Sequence, residues 1–437
     1  MGDGQAALKD EPGAPGSQAT AARSTNAYGD AVPDAVAPPP RHPRFPLLDG
    51  MRAIAVLSVV LVHAAFFASA FDSSISGRLL AHLNIGVTIF FLISGFLLYR
   101  PFIAHRGGGA AAPPVAQYAK RRVLRIFPAY WLVLTVLAIA PGLSGIHDGE
   151  WWAQYGLAQT LPLQGGSGCT GALFDCGLAQ TWSLVVEATF YAVLPLYVLA
   201  TAGVARGRSL RYWMCLQLLL LGALSVVSVV LHFVVLDAPV RSWASGSVVG
   251  YGFWFALGMG LAVLSVGLER RERQPRLVRL ITSRPLIPWL AAAVAYVLLS
   301  LWLPPTPFVL KTDQQLVVHL AFGMIAALLM LPAVFGDRSG GVPRRALAHP
   351  AMAWLGLISY GIFLWHYVIA LHLGLGGMKA GFGVVLGGTL AISIACAAAS
   401  YYLVERPLLR LKYRRVRDLL GHTKRARPPT PSAQRAP

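Results

Sequence analysis

Residues 48–71 read LDGMRAIAVLSVVLVHAAFFASAF, and the fold turns on them. The run is long enough to cross a hydrocarbon core, which takes roughly 20 predominantly apolar residues. It nevertheless carries Asp49 and Arg52 at one end and His63 within it. Comparable apolar blocks recur near Ile85 to Tyr99, Ile126 to Ala140, Thr181 to Ala202, Tyr212 to Leu236 and Val248 to Leu268. Four more run near Leu286 to Leu303, Gln315 to Phe335, Ala353 to Leu373 and Phe382 to Val404. The pattern predicts an all-α integral membrane protein, a polytopic, multi-pass bundle of about ten transmembrane helices in the cell membrane. Composition agrees: of 437 residues 56% are hydrophobic and 13% charged, where a soluble domain carries about 25% charged. A soluble α/β enzyme is excluded on these grounds.

The formal net charge is +19, and the distribution of that charge matters more than its size. Arg41, Arg44 and Arg52 flank the first span, and Arg100, Arg106, Lys120, Arg121, Arg122 and Arg125 lie between the second and third. Further clusters follow the fourth, sixth, eighth and tenth spans, while the alternate loops hold only Arg78, Arg241, Lys311 and Lys379. Basic loops stay on the cytoplasmic side, so both termini are expected there. The arginines then read as topology signals and contacts to membrane lipids, not as a nucleic-acid surface. Residues 1–44, with no apolar h-region, read as a disordered cytoplasmic tail; residues 45–411 form the membrane domain; residues 412–437 read as a basic, Pro-rich disordered tail. Cys215 and Cys396 fall in apolar segments and read as small buried hydrophobes. Cys169 and Cys176 share an outer loop, either as a short-range disulfide or as two free thiols.

Ionisable groups inside a bilayer are costly, and those that persist are candidates for function. Arg52 and His63 are eleven positions apart, about 20° from eclipsed on a helix, which puts Arg52 near the cytoplasmic boundary and His63 towards mid-membrane. Asp49 is three residues from Arg52, within pairing reach. A histidine that titrates near neutrality suits general-base work. On the fourth span Ser183, Glu187 and Tyr191 recur every four residues, with Trp182 at the outer boundary; Glu187 suits orienting a histidine or binding a sugar hydroxyl. His366 stands two turns from Ser359 and reads equally as a structural histidine or a substrate contact. Lys120, Arg121, Arg122 and Arg125 suit phosphates as well as topology. Ser94 has no acid or base beside it in sequence, so the run around it, Gly86 to Phe96, reads as close helix packing. His232 and His319 read as structural. No metal is expected, because the intramembrane His and acidic residues lack ligand spacing.

Together these pieces resemble the membrane-bound acyltransferase family 3, whose members acylate cell-surface sugars, lipids and some secreted metabolites. The resemblance runs from about Phe45 to Arg410 and rests on six segments in family order. They are Leu48 to Ala53 with His63, Phe90 to Phe96, Arg122 to Pro128, Trp182 to Glu187, Ser359 to His366, and Glu405-Arg406-Pro407. The resemblance implies that His63 is catalytic with Arg52 and Glu187, that Arg122 and Arg125 meet the donor, and that Asp49, Trp182 and His366 serve the substrate. It also implies acyl-coenzyme A as donor substrate, no permanently bound cofactor, and a sugar or lipid hydroxyl as acceptor. The chain departs from the family at Ala188, where a second acidic residue is often found. With no esterase-like domain expected after the helices, it reads as a self-contained enzyme or one that passes product to a partner. The alternative is a proton-coupled transporter or flippase of a sugar or lipid substrate, which inverted repeats with matched broken helices would favour. None is visible in the two halves. A catalytically inert scaffold is the third reading.

Overall fold

The computed structural model describes residues 45–106, 114–143, 151–160, 178–204, 207, 209–235, 246–269, 271, 273–306, 310–335, 340–375 and 380–410. The expected tails, Cys169 and Cys176 lie outside the described residues. The long helices are α1 (Leu47–Phe67), α2 (Ile85–Arg106), α3 (Val115–Leu137), α4 (Trp182–Val204) and α5 (Leu210–Val230). They continue as α6 (Val248–Glu269), α7 (Leu286–Trp302), α8 (Thr312–Val334), α9 (Pro350–Leu375) and α10 (Phe382–Ser400). Among the described residues nine helices are long and apolar enough to cross a membrane. A tenth is added if α7 is counted with the short helix Arg276–Ser283, from which it bends by 88°. The chain is a multi-pass membrane protein, as the apolar blocks predict.

Lipid tails are as apolar as leucine, so association between spans depends on close packing, and small residues supply it. A Cβ on Gly356 of α9 would lie 1.9 Å from the Asp49 carbonyl oxygen of α1, and one on Gly374 would lie 2.6 Å from that of Phe67. Contacts in the same order along both chains make α1 and α9 parallel. Gly86 meets the Ala55 carbonyl of α1, while Gly95 and Gly258 lock α2 and α6 together against the Phe255 and Leu92 carbonyls. The small residues around Ser94 therefore pack as the sequence predicts.

Charged groups close the ends of this bundle. Arg100 is buried, hydrogen-bonds Ser265 Oγ at 3.2 Å, pairs with Glu269 and lies over the Phe45 ring. Arg344, read from sequence as a topology signal, is 1% exposed and donates to five carbonyl oxygens. Phe335 at 2.8 Å and Pro332 at 3.0 Å end α8, and Thr282 at 3.0 Å ends the short helix before α7. Carbonyls left unpaired at helix ends need such partners. Cys215 departs from expectation: it is exposed on α5, while Cys396 is partly buried.

Gly258→Ala forces α2 and α6 apart, since the added methyl would sit 2.1 Å from the Leu92 carbonyl oxygen; overpacking of this kind costs about 1–3 kcal/mol. Gly222→Ala, with nothing within 4 Å, is expected to leave stability unchanged or slightly raised. Thermal unfolding of the two detergent-solubilised variants checks this, and equal midpoints would refute the close-approach argument.

Candidate active site

A cavity of about 210 Å³ lies among α1, α2, α3, α4 and α9. The spacing on α1 turns Arg52 into it, α3 contributes Arg122 and Arg125, and α4 contributes Ser183, Glu187 and Tyr191. Three guanidinium groups separated by up to 73 positions in sequence thus face one space. Apolar side chains complete the wall, among them Val87, Phe90, Phe91, Leu97 and Phe363.

Each arginine is held differently. Arg52 Nη1 binds Asp49 Oδ1 at 3.0 Å, the pair expected from their spacing; both side chains are about one-third exposed, so the pair adds little to stability. Arg125 reaches Glu405 at 3.4 Å, whose side chain is 3% exposed, and lies over the Tyr360 ring. Arg122 lies 5.5 Å from the Tyr191 ring centroid, and its Nε is buried with no hydrogen-bond partner among the described residues. A buried guanidinium N–H without an acceptor is costly and marks a place where an anion fits.

Glu187 is not beside a histidine. Its Oε1 accepts from Tyr191 Oη at 2.7 Å, the four-residue neighbour expected on α4, and from Ser94 Oγ of α2. Ser94, which lacks an acid nearby in sequence, acquires one across the bundle. No sequence signal joins positions 94 and 187, because which faces of two helices meet is set by tertiary packing.

His63 does not line the cavity. It stands about one turn from the C-terminal end of α1 and is partly exposed. Its Nδ1 lies 3.0 Å from the Val59 carbonyl oxygen and 3.0 Å from His366 Nε2. Eleven helical residues separate it from Arg52, a rise of roughly 16 Å. His366 is fully buried, with Nδ1 2.8 Å from the Phe363 carbonyl oxygen, so it stands behind His63 and not on an open surface. Of the two readings of His366, structural or substrate-contacting, this burial and contact favour the structural one. Trp182 also lies off the cavity, its ring 5.3 Å from that of Tyr251. His232 and His319 approach each other to 6.1 Å between centroids, and His319 stacks on Trp254. Among the described residues no group of three or more His, Cys, Asp or Glu could hold a metal ion.

This order of spans and site residues meets a defined family. The sequence pattern described as "Acyltransferase domain" matches residues 45–403. The chain belongs to that family. Among relatives, it is 25% identical over 388 residues to YrhL of Bacillus subtilis (strain 168), covering 84% of this chain and 55% of YrhL. It is 27% identical over 344 residues to the exopolysaccharide production protein ExoZ of Rhizobium meliloti (strain 1021), covering 74% of this chain and 89% of ExoZ. It is 23% identical over 340 residues to the peptidoglycan O-acetyltransferase OatA of Listeria monocytogenes serovar 1/2a (strain ATCC BAA-679 / EGD-e), covering 74% of this chain and 49% of OatA. The chain thus spans about half the length of YrhL and of OatA. No solved structure matches it.

Arg125→Met leaves the Glu405 carboxyl buried and unpaired, and breaking a buried ion pair from one side costs about 3–5 kcal/mol. The double variant Arg125→Met/Glu405→Leu is expected to recover most of that loss. Chemical denaturation of the membrane-extracted proteins measures both, and a double variant no more stable than Arg125→Met would dissolve the pair.

Proposed function

We propose that this acyltransferase-family protein moves an acyl group, with acetyl the first to test, from cytoplasmic acyl-coenzyme A to a hydroxyl of a cell-envelope glycan, glycolipid or glycosylated metabolite. One observation carries the reading: Arg52, Arg122 and Arg125 converge on a single cavity below His63, and the Nε of Arg122 is left without an acceptor. Guanidinium groups match phosphates in shape and charge, and coenzyme A presents several phosphates and a long arm that ends in the thioester. With the termini in the cytoplasm, as the loop charges suggest, the arginines meet the donor from inside and the arm runs along α1 towards His63. The peptidoglycan O-acetyltransferase OatA and the exopolysaccharide protein ExoZ support an envelope glycan as acceptor.

At His63 the chemistry follows one of two routes. As general base, the imidazole removes the proton of the acceptor hydroxyl while its oxygen attacks the thioester carbonyl, and coenzyme A leaves as the thiol. As nucleophile, it first carries the acyl group itself. Either route needs a ring nitrogen with a free lone pair. Glu187, held by Ser94 and Tyr191, presents a fixed carboxylate to the middle of the donor cavity, where it orients the arm or an acceptor hydroxyl.

Membranes bearing matched amounts of wild type or variants are given radiolabelled acetyl-coenzyme A, and surface-glycan and lipid fractions are counted. His63→Ala is expected to lower transfer by about 10²- to 10⁴-fold. Arg122→Ala is expected to raise KM for acyl-coenzyme A with a smaller change in kcat, as loss of ground-state binding does. Equal labelling by wild type and His63→Ala removes His63 from the reaction; sugar or lipid export without acyl transfer would favour the transporter.

A further inference from the structure

We infer that His366 is a positioning residue that holds His63 in its Nδ1–H tautomer, so that Nε2 of His63 is the atom that takes the acceptor's proton; the role in transfer rests on the function proposed above. The assignment follows from which atoms can only accept. A backbone carbonyl oxygen has no hydrogen to give. His366 Nδ1 lies 2.8 Å from the Phe363 carbonyl oxygen and 3.2 Å from that of Ile362, so the proton of neutral His366 is on Nδ1 and its Nε2 bears a lone pair. That lone pair faces His63 Nδ1 at 3.0 Å. His63 Nδ1 also lies 3.0 Å from the Val59 carbonyl oxygen. Both neighbours of His63 Nδ1 are therefore acceptors, and a single Nδ1–H shared between them satisfies both.

Nothing else in the neutral pair balances. If His63 carried its proton on Nε2, the lone pair on its Nδ1 would face two further lone pairs at hydrogen-bond distance. A doubly protonated His366 could donate Nε2–H to His63 Nδ1 only by placing a cation in a fully buried site and turning the His63 Nδ1 lone pair on the Val59 carbonyl. His366 is fully buried, so bulk solvent does not reach its side of the contact. The remaining nitrogen of His63, Nε2, is left with its lone pair, and His63 is the partly exposed member of the pair. The two rings lie with centroids 5.1 Å apart, and Tyr367 on α9 stands 5.2 Å from His63 edge-to-face, which fixes the direction of Nε2.

In the reaction the proton of the acceptor hydroxyl moves to His63 Nε2, its oxygen forms the new ester bond, and the carbon–sulfur bond of the thioester breaks. The proton then passes from Nε2 to the departing thiolate. Throughout, His63 Nδ1–H donates to His366 Nε2, which orients the ring and accepts part of the transient positive charge. A carboxylate fills this place in serine hydrolases, where the wrong tautomer costs about 10⁴-fold. Here the partner is neutral, as suits a group buried inside a membrane.

The tautomer is read directly by long-range ¹H–¹⁵N correlation on protein labelled with ¹⁵N-histidine in lipid nanodiscs, with His63 assigned by its absence from His63→Gln. Wild type is expected to show His63 as Nδ1–H, and His366→Leu, which removes one of the two acceptors and leaves the Val59 carbonyl, to show a mixture shifted towards Nε2–H, the form free imidazole side chains prefer. An Nε2–H signal in wild type, or an unchanged Nδ1–H signal in His366→Leu, overturns the inference. Transfer kinetics supply the second readout. In His366→Gln the side-chain carbonyl reaches the place of Nε2 and is expected to keep kcat within about tenfold of wild type. His366→Asn reaches only as far as Nδ1, and with His366→Leu it is expected to lose about 10²- to 10³-fold in kcat at unchanged KM. Equal losses in the Gln, Asn and Leu variants would leave His366 a packing residue and sink the proposal. If wild type itself transfers no acyl group, the proposed function fails on its own, while the tautomer spectrum still decides whether His366 holds His63.

Discussion

Backbone contact between α1 and α9 is the constraint on which the rest of the molecule depends. At one end Gly356 lies on the Asp49 carbonyl and at the other Gly374 lies on Phe67, so the two helices touch along nearly their whole length and cannot slide. This lock sets two pairings at once. Ser359 and Tyr360 join Arg52 at the cavity, and His366, further along the same helix, meets His63. A slip of one residue would turn each side chain of α9 by about 100° and separate both. In a solvent that gives helices no hydrophobic reason to associate, glycine is the residue that makes such a register possible, because any Cβ at these points would collide with backbone.

Much of this was legible in the sequence, and the boundary of legibility is physical. Apolar block length located the long helices, nine of them able to span among the described residues and a tenth if the bent pair at α7 is counted. Helical periodicity located Asp49 beside Arg52 and Tyr191 beside Glu187, since both pairs lie within one turn. It could not place Ser94 on Glu187, Arg125 on Glu405 or His63 on His366, which are 93, 280 and 303 positions apart. Period gives the face of a helix and not its neighbour. The order of short motifs supplied the family, yet motif order does not say that His63 and His366 would meet. Arg344 shows the same limit from another side. A loop arginine beside a span reads as a topology signal, and only the coordinates reveal that its five hydrogen bonds close two helix ends.

The charges within the bundle divide by how completely they are satisfied. Arg100 has Glu269, a serine and an aromatic face, and Arg344 has five carbonyls. These groups are spent on holding helices together. Arg122 is different, with one buried nitrogen lacking an acceptor while its guanidinium borders a cavity. Glu187 differs too, because hydroxyl groups and not a cation hold its carboxylate. Incomplete satisfaction inside a low-dielectric region carries a cost, and a protein bears that cost where a ligand will remove it. On the function proposed above, the unpaired nitrogen of Arg122 is the one an anionic donor would satisfy, whereas Arg100 and Arg344 serve the packing of helices.

Separation of the arginines from His63 along α1 then has a mechanistic meaning. An activated thioester is exposed to hydrolysis wherever water reaches it, and a transferase must keep the acyl carbon from water until the intended hydroxyl arrives. A site with phosphate-binding groups beside the catalytic base would bring the hydrated end of the donor to the reacting atom. Under the function proposed above, the rise of roughly 16 Å from Arg52 to His63 along the helix, with Phe90, Phe91 and Phe363 in the cavity wall, would keep the charged end of the donor at the entrance and admit only its arm. Pairing the base with a buried neutral histidine completes the arrangement, since a carboxylate there would need a cation or water beside it. The same packing that holds α1 against α9 therefore sets both the arginine cavity and the contact between His63 and His366.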